Sequence, residues 1–318
     1  MEISVIIVSW NAKKYLKECI ESLESEVSQY DSEIIVVDNA SDDGSPELVI
    51  EYFQQVKLIR NESNLGFAKA NNIGIKYSSG KYLFLINSDI KVVKNCIKIL
   101  IEYGEQNLHA GIIGPKILTP EGKVQRSCMG FPTLWNSFCR TLALDSLFPK
   151  SKVFGGQLLN YWKHDSKRNV DVINGCFWMV RRAALNQVGL LDEDFFIYGE
   201  DIDWCKRFNN FGWEVVFFPG AKAIHYGGAS SANSPTRFFI EMQRANIKYW
   251  DKHHNYYAKK VFVFLLLIHH VVRILGNGIK FVFLRKKKNV LYNKIKQNWA
   301  ATRWIINGAV IMKLPMVL

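Results

Sequence analysis

The chain has 318 residues, 48% hydrophobic and 22% charged, which is enough length and apolar content for one large domain with an appendage, or for two domains. Six cysteines scattered without a CxxC pair argue against a zinc ribbon or a disulfide framework and read as reduced thiols in a cytoplasmic setting. The net charge of +12 is uneven: no Asp or Glu follows Asp251, 13 Lys and Arg lie from Lys252 onward, and the body before them is near neutral.

The amino terminus, MEISVIIVSW, has no basic n-region and too short an apolar run for a signal peptide, so it reads as a first strand, Ile3 to Ser9. It ends at Trp10, Asn11 and Ala12, and a helical pattern follows with Tyr15, Leu16, Cys19, Ile20 and Leu23 on one face. The same order recurs. Ile34 to Val37 is a buried strand followed by a loop crowded with Asp38, Asn39, Ser41, Asp42 and Asp43. VKLIR is a short strand before the polar loop and helix of NESNLGFAKANNIGIKYSS, and Tyr82 to Ile86 is an unbroken apolar run ending at Asn87, Ser88 and Asp89. Such alternation predicts an α/β fold, a Rossmann-like and mostly parallel sheet with helices on both faces.

In open sheets of this kind ligands bind beyond the carboxyl ends of the strands, where Asn11, Asp38, Asn64 and Asp89 would lie. A carboxylate at Asp89 is placed to hold a metal on a phosphate, and Asp38 to take hydrogen bonds from a base or ribose that Asn11 and Asn64 position. Ordinary capping and turn chemistry also puts Asn and Asp at such points.

Beyond Gly111 the pattern is less regular. IIGPKIL suggests a strand, and the aromatic, poorly periodic stretch from Phe131 to Asn169 reads as a lid or an acceptor-binding insertion. VDVINGCFWMVRR returns to a strand, where Asn174, Gly175 and Trp178 could shape a pocket wall or, for Trp178, simply fill the core. Glu200, Asp201 and Asp203 open a helix, where its dipole favours negative charge. Capping accounts for one of them; a carboxylate flanked by Phe195, Phe196 and Trp204 can also be a general base toward a sugar hydroxyl. His225 closes AKAIH after the strand EVVFFP, either as a structural imidazole or as a partner of Asp89 in a metal site.

Together SVIIVSWN, VVDNASDDGS, NLGFAKANNIGI, LFLINSD, INGCFWMVRR, GLLDEDFFIYGEDIDWCKRFNNFGW and IHYGG, in order over about residues 3 to 230, resemble the inverting family 2 glycosyltransferases of GT-A fold, in their rhamnosyltransferase-like branch. The resemblance implies a nucleotide-sugar donor and a divalent cation, Mg or Mn. It implies that Asp38 contacts the base, that Asn11, Asn39, Asn64, Asn87 and Ser88 line the donor site, and that Asp89 and His225 bind the metal. Asp201 would be the base, with Glu200 beside it. Many relatives carry a carboxylate where this chain has Asn87, so fewer charges would hold the metal here. The implied reaction moves a sugar, with L-rhamnose from dTDP-rhamnose one candidate, onto a glycan or lipid-linked glycan in cell-surface polysaccharide synthesis. Another nucleotide sugar such as a UDP-hexose, or a non-catalytic nucleotide-sugar-binding scaffold, are the alternatives.

The expected division is a catalytic domain over residues 1–250 and a basic, apolar helical tail over 251–318. Val261 to Ile268 is an apolar run of only eight residues, short of the roughly 20 that span a bilayer. His269, Arg273, Asn277 and Lys280 would form one polar stripe, as on a helix lying in a membrane surface, with Arg285 to Lys288 against anionic lipid. A second segment, from Val290 to Ile311, adds Trp299 and Trp304. The apolar content argues against nucleic acid, and the protein is expected in the cytoplasm, peripheral on the inner face of the cell membrane.

Overall fold

In the computed structural model, which describes residues 1–227, 235–284 and 288–310, the first half alternates as the hydrophobic pattern requires. β1 (Ile3–Ser9), α1 (Lys13–Val27), β2 (Ser32–Asp38), α2 (Ser45–Tyr52), β3 (Lys57–Arg60), α3 (Phe67–Lys76) and β4 (Tyr82–Asn87) follow in turn. Side chains of β1 point alternately to two layers. Ile3, Val5 and Ile7 join the core that holds Leu16, Cys19 and Ile20 of α1, whereas Ile6 faces α3. Gly74 admits that second contact, because a Cβ there would stand 2.4 Å from Cγ2 of Ile6.

The chain continues through β5 (Ile90–Val92), α4 (Cys96–Gln106), β6 (Ala110–Leu118), β7 (Val124–Gln125), β8 (Cys128–Met129), α5 (Leu134–Thr141) and α6 (Leu144–Leu147). Next come β9 (Arg168–Asn169), β10 (Val172–Ile173), β11 (Phe177–Arg181), α7 (Arg182–Val188), α8 (Glu200–Asn210) and β12 (Glu214–His225). The sheet order is β3-β2-β1-β4-β11-β6-β12-β5. It is parallel through its first four strands and between β6 and β12, with β11 antiparallel between β4 and β6. The expected α/β arrangement is present as a mixed sheet. Hydrophobic periodicity carries no strand direction, so the reversal at β11 could not be read from it. Register sets Ser9 opposite Asp38 and Val8 opposite Asn87, aligning the ends of β1, β2 and β4.

Met1–Phe131 with Trp162–Ala232 forms one compact unit, and Pro132–Tyr161 with Asn233–Leu318 another. In the second lie α5, α6, α9 (Pro235–His253), α10 (Tyr256–Phe283) and α11 (Lys288–Val310). A boundary at 250/251 would cut α9, whose Trp250 stacks on Phe262 of α10 with centroids 4.8 Å apart, so this helix goes with the tail. The stretch 132–161 goes there too: Thr141 donates to the Leu265 carbonyl at 3.3 Å, and Arg273 to the Arg140 carbonyl at 2.9 Å.

The eight-residue apolar run also understates α10. The helix is continuous over 28 residues, and its most apolar window has a mean hydropathy of 1.8, long and apolar enough by length and composition to cross a membrane. Arg285 to Lys287 lie outside the described residues.

Candidate active site

The carboxyl ends of β1, β2 and β4 carry the first group of expected residues. Asp38 is 2% exposed; its Oδ2 accepts the Ser41 N–H at 3.0 Å, and its Oδ1 has no hydrogen-bond partner. Asn11, at φ 52°, accepts the Asp42 N–H on Oδ1 and donates its own N–H to Ser41 Oγ, both at 2.9 Å, so it builds the loop beside Asp38. Asn39 is engaged wholly within the protein. Its backbone N–H reaches the Ser9 carbonyl, its amide nitrogen the Gly66 carbonyl, and its Oδ1 accepts from Asn61. Asn64 closes a turn by accepting the Gly66 N–H at 2.9 Å, just ahead of α3. The last two therefore build the loops beside Asp38.

After β4 the chain turns at Ser88 and Asp89, which are 8% and 7% exposed. Asp89 Oδ1 lies 3.1 Å from Nε2 of His225, and its Oδ2 accepts the Gly227 N–H at 3.1 Å. On the far side of that imidazole, Nδ1 meets the Gln125 amide, 3.0 Å from its nitrogen and 3.2 Å from its oxygen. Tyr226 secures the same segment. Its N–H donates to the Asp89 carbonyl, its hydroxyl to Glu18 at 2.6 Å, and its ring stacks on Tyr15 at 4.7 Å. Lys91 also bonds Glu18, and Lys91 and Tyr226 together hold that carboxyl below its ordinary range.

The second group opens α8. Asp201 is half-buried and accepts the Ile202 N–H at 2.8 Å, with further backbone donors at Gly175 and Gly199. Burial outweighs these donors and pushes its carboxyl up to about 6. Glu200 is 6% exposed and leaves Oε2 without a partner; burial, then the neighbouring charges of Asp201 and Asp203, raise it well above the usual carboxylate range. Asp203 is fully buried and pairs with Arg207 at 2.9 Å, while Arg207 also donates to the carbonyls of Val188 and Leu190. This third acid is therefore structural.

The β4–β11 pairing joins the two groups. Gly175 donates to Asp201, and the next carbonyl, that of Cys176, accepts the Asn87 N–H at 3.0 Å, two residues before Asp89. Both acids are close enough to Cys176 that, after burial, their charges help push its thiol up to about 12. Among the described residues, Ser9 Oγ and Asn174 Oδ1, on this same edge, are buried without a hydrogen-bond partner, as are Asp38 Oδ1 and Glu200 Oε2. Unpaired buried polar atoms cost stability and concentrate where a polar ligand completes them.

Residues 4–189 match the sequence profile of glycosyl transferase family 2. The chain belongs to that family. It is a glycosyltransferase of GT-A fold, similar over 245 residues, at 27% identity, to the N-acetylglucosaminyl-diphospho-decaprenol L-rhamnosyltransferase of Mycobacterium tuberculosis, covering 73% of this chain and 78% of that one. It is also 27% identical over 296 residues to the dTDP-rhamnosyl transferase RfbF of Shigella flexneri, covering 89% and 92% of the two chains. In fold it is similar to a Pyrobaculum calidifontis mannosyltransferase solved with GDP-Man and Mn2+, with TM-score 0.54, 14% identity and coverage of 97% and 86%.

In this glycosyltransferase Asp89 and His225 stand close enough to share either a proton or a cation. If the Nδ1 proton of His225 is donated to Gln125, Nε2 and the carboxylate are two acceptors face to face, an arrangement that calls for a cation or proton between them. Among the described residues no group of three or more His, Cys, Asp or Glu side chains is placed to hold a metal ion. Two protein ligands suit an ion that fills its remaining positions with donor phosphate and water.

Sequence reasoning did not single out Gln125, Glu18 or Tyr226 for this glycosyltransferase. Gln125 sits in a two-residue strand whose pairing with β6 has no local signal. A separate hollow of about 390 Å3 between α2 and β3, lined by Val49, Ile50, Phe53, Gln54, Val56 and Leu58, contains no ionisable side chain and takes no part in the site.

Proposed function

We propose that the enzyme transfers a sugar, with inversion, from a nucleotide-sugar donor to a hydroxyl of a glycan or lipid-linked glycan during cell-surface polysaccharide synthesis. The observation that carries this reading is the meeting of Asp89 with His225 on one side of the Gly175–Cys176 link and Asp201 on the other. Asp38 binds the base or ribose through its unpartnered Oδ1, and the loop braced by Asn11, Asn39 and Asn64 forms the wall around it. Asn87 and Ser88 border the diphosphate. Asp89 and His225 would hold a divalent cation, Mg or Mn, which would supply neutralisation of charge on the diphosphate.

Asp201 acts on the acceptor. It takes the hydroxyl proton as the oxygen bonds to the anomeric carbon, on the side opposite the departing diphosphate. The new C–O bond forms as the donor C–O bond to phosphate breaks, and the proton ends on Asp201. Burial, with the neighbouring charges of Asp201 and Asp203, disfavours the ionised form of Glu200, so Asp201 is the carboxylate proposed to face the acceptor. The rhamnosyltransferase relatives support dTDP-L-rhamnose as the donor.

The catalytic fold would work at the cytoplasmic face of the cell membrane, peripheral to it through the basic, apolar helices α10 and α11. Nucleoside-diphosphate release from dTDP-rhamnose, UDP-hexoses and GDP-mannose, with and without Mn or a chelator, tests the assignment. Release from dTDP-rhamnose that needs acceptor and Asp201 is expected. Release from a UDP-hexose alone would change the donor, and binding without release under every condition would leave a scaffold.

A further inference from the structure

We propose that residues 132–161 form a second membrane-contacting element, which lies in an anionic lipid surface together with the outer face of α10. This rests on the reading that the tail contacts the membrane. The outer face of α5 carries Trp135, Phe138 and Leu142, 48%, 38% and 46% exposed at steps of three and four residues. Cys139 and Thr141, flanking that stripe, are buried, and the Thr141 hydroxyl is bonded to α10. The Trp135 ring stands 5.8 Å from Phe138 and 6.2 Å from Phe154, and Phe154 stands 5.3 Å from Phe148, which is 51% exposed. Four rings thus form one continuous surface patch, with Leu147 and Val153 also exposed in this stretch.

The neighbouring helix has the same inverted arrangement. Tyr257, Val261, Phe264, Val271, Leu275 and Ile279 point outward, and their spacing places them on one stripe. His270 is buried against Asn298 at 2.8 Å, and Arg273 turns back to the Arg140 carbonyl. A helix in water hides its apolar stripe. These two display theirs and put polar groups against each other.

Charge decides what covers the patch. Arg140, Lys150 and Lys152 are exposed in this stretch, its one acid, Asp145, is buried, and no acid follows Asp251. An anionic bilayer supplies the apolar depth and the negative headgroups at once, and Trp is favoured at that boundary.

The native cysteines are all buried, so a polarity-sensitive thiol dye can be placed on the full chain at Phe148→Cys, Leu275→Cys or, as a control on α2, Ile50→Cys. On vesicles of phosphatidylglycerol and phosphatidylcholine, blue shifts at 148 and 275 and none at 50 are expected. A shift at 275 without one at 148 overturns this proposal and leaves the tail reading standing; no shift at either overturns both. A shift at 148 that follows protein concentration with vesicles absent assigns the patch to a second copy of the chain and overturns the proposal. Replacing Trp135 and Phe148 together by Ser should cut vesicle partition by about tenfold or more with an unchanged melting temperature, and unchanged partition would count against the patch.

Discussion

Asp201 combines a raised proton affinity with the proposed role of base toward the acceptor, and the two properties pull against each other. Because its carboxyl is pushed up to about 6, turnover should fall as pH drops through about 6, with a slope of one proton. Its effect on folding has the opposite direction. An acid that binds its proton more tightly when folded favours the fold below about pH 4, and that contribution is lost as pH rises to about 6. Asp201→Asn should therefore lower kcat by about 10²- to 10⁴-fold while nucleotide binding holds and the melting temperature at pH 8 stays level or rises; turnover near wild type would remove the base role. Glu200→Gln preserves a neutral group of the same shape, so activity within a few-fold of wild type is expected, whereas a loss as deep as that of Asp201→Asn would show that Glu200 works ionised. In the proposed metal site Gln125 would act at one remove, through its contact with His225. Gln125→Leu should weaken Mn binding about 10- to 100-fold, read by calorimetry on the folded protein, and leave metal-free nucleotide binding alone. Asp89, Asp201 and His225 could be picked out as candidates from the sequence because each lies near the end of a strand or the start of a helix amid a recognisable run of residues. Gln125 was not, because long-range pairing alone brings it to the imidazole.

The loop between α7 and α8 shows how elements set these side chains. The Phe196 carbonyl accepts the Phe67 N–H at 2.7 Å, Asn72 bonds Leu191 and Glu193, and Arg207 and Trp204 bond the carbonyls of Val188, Leu190 and Gly189. The helix that follows Asn64 and the helix that begins with Glu200 are thereby tied to one strap. Gly66 lies tight against that strap: at φ 82°, a Cβ there would run into the Phe196 carbonyl oxygen. Gly66→Ala must displace backbone and adopt a left-handed conformation, so a loss of about 2–4 kcal/mol is expected in urea denaturation, together with a raised KM for donor; an unchanged midpoint would mean the strap can move away at little cost. The βα order of the first half could be read from the sequence because each strand is a short apolar run and each helix has its own periodic face. The strap's attachments could not, since a backbone carbonyl used as an acceptor leaves no mark on residue type. The same holds for the grouping of residues 132–161 with the tail, which depends on bonds such as that between Thr141 and Leu265 across 124 residues.

Over the whole molecule, charge and exposed apolar surface are concentrated at the same end of the sequence. With 13 Lys and Arg and no acid from Lys252 onward, the second unit has a strong positive field, and α10 displays an apolar stripe to whatever that field attracts. Each basic residue near an anionic leaflet contributes about 1 kcal/mol, and this falls off within a Debye length. Burial of the apolar stripe depends little on salt. The two contributions can therefore be separated. Raising NaCl from about 50 to 500 mM shortens the screening length to a few ångströms, so vesicle partition of the full chain should fall steeply, by about tenfold or more, and then level off at a floor set by apolar burial. Vesicles of neutral lipid should give that floor at every salt concentration. Cosedimentation across the titration reads both. A curve that falls to zero would mean that α10 stays out of the bilayer and only charge holds the protein there. A flat curve at high occupancy on neutral lipid would instead mean that α10 inserts deeply enough, as its 28-residue length allows, for the basic tail to add nothing measurable.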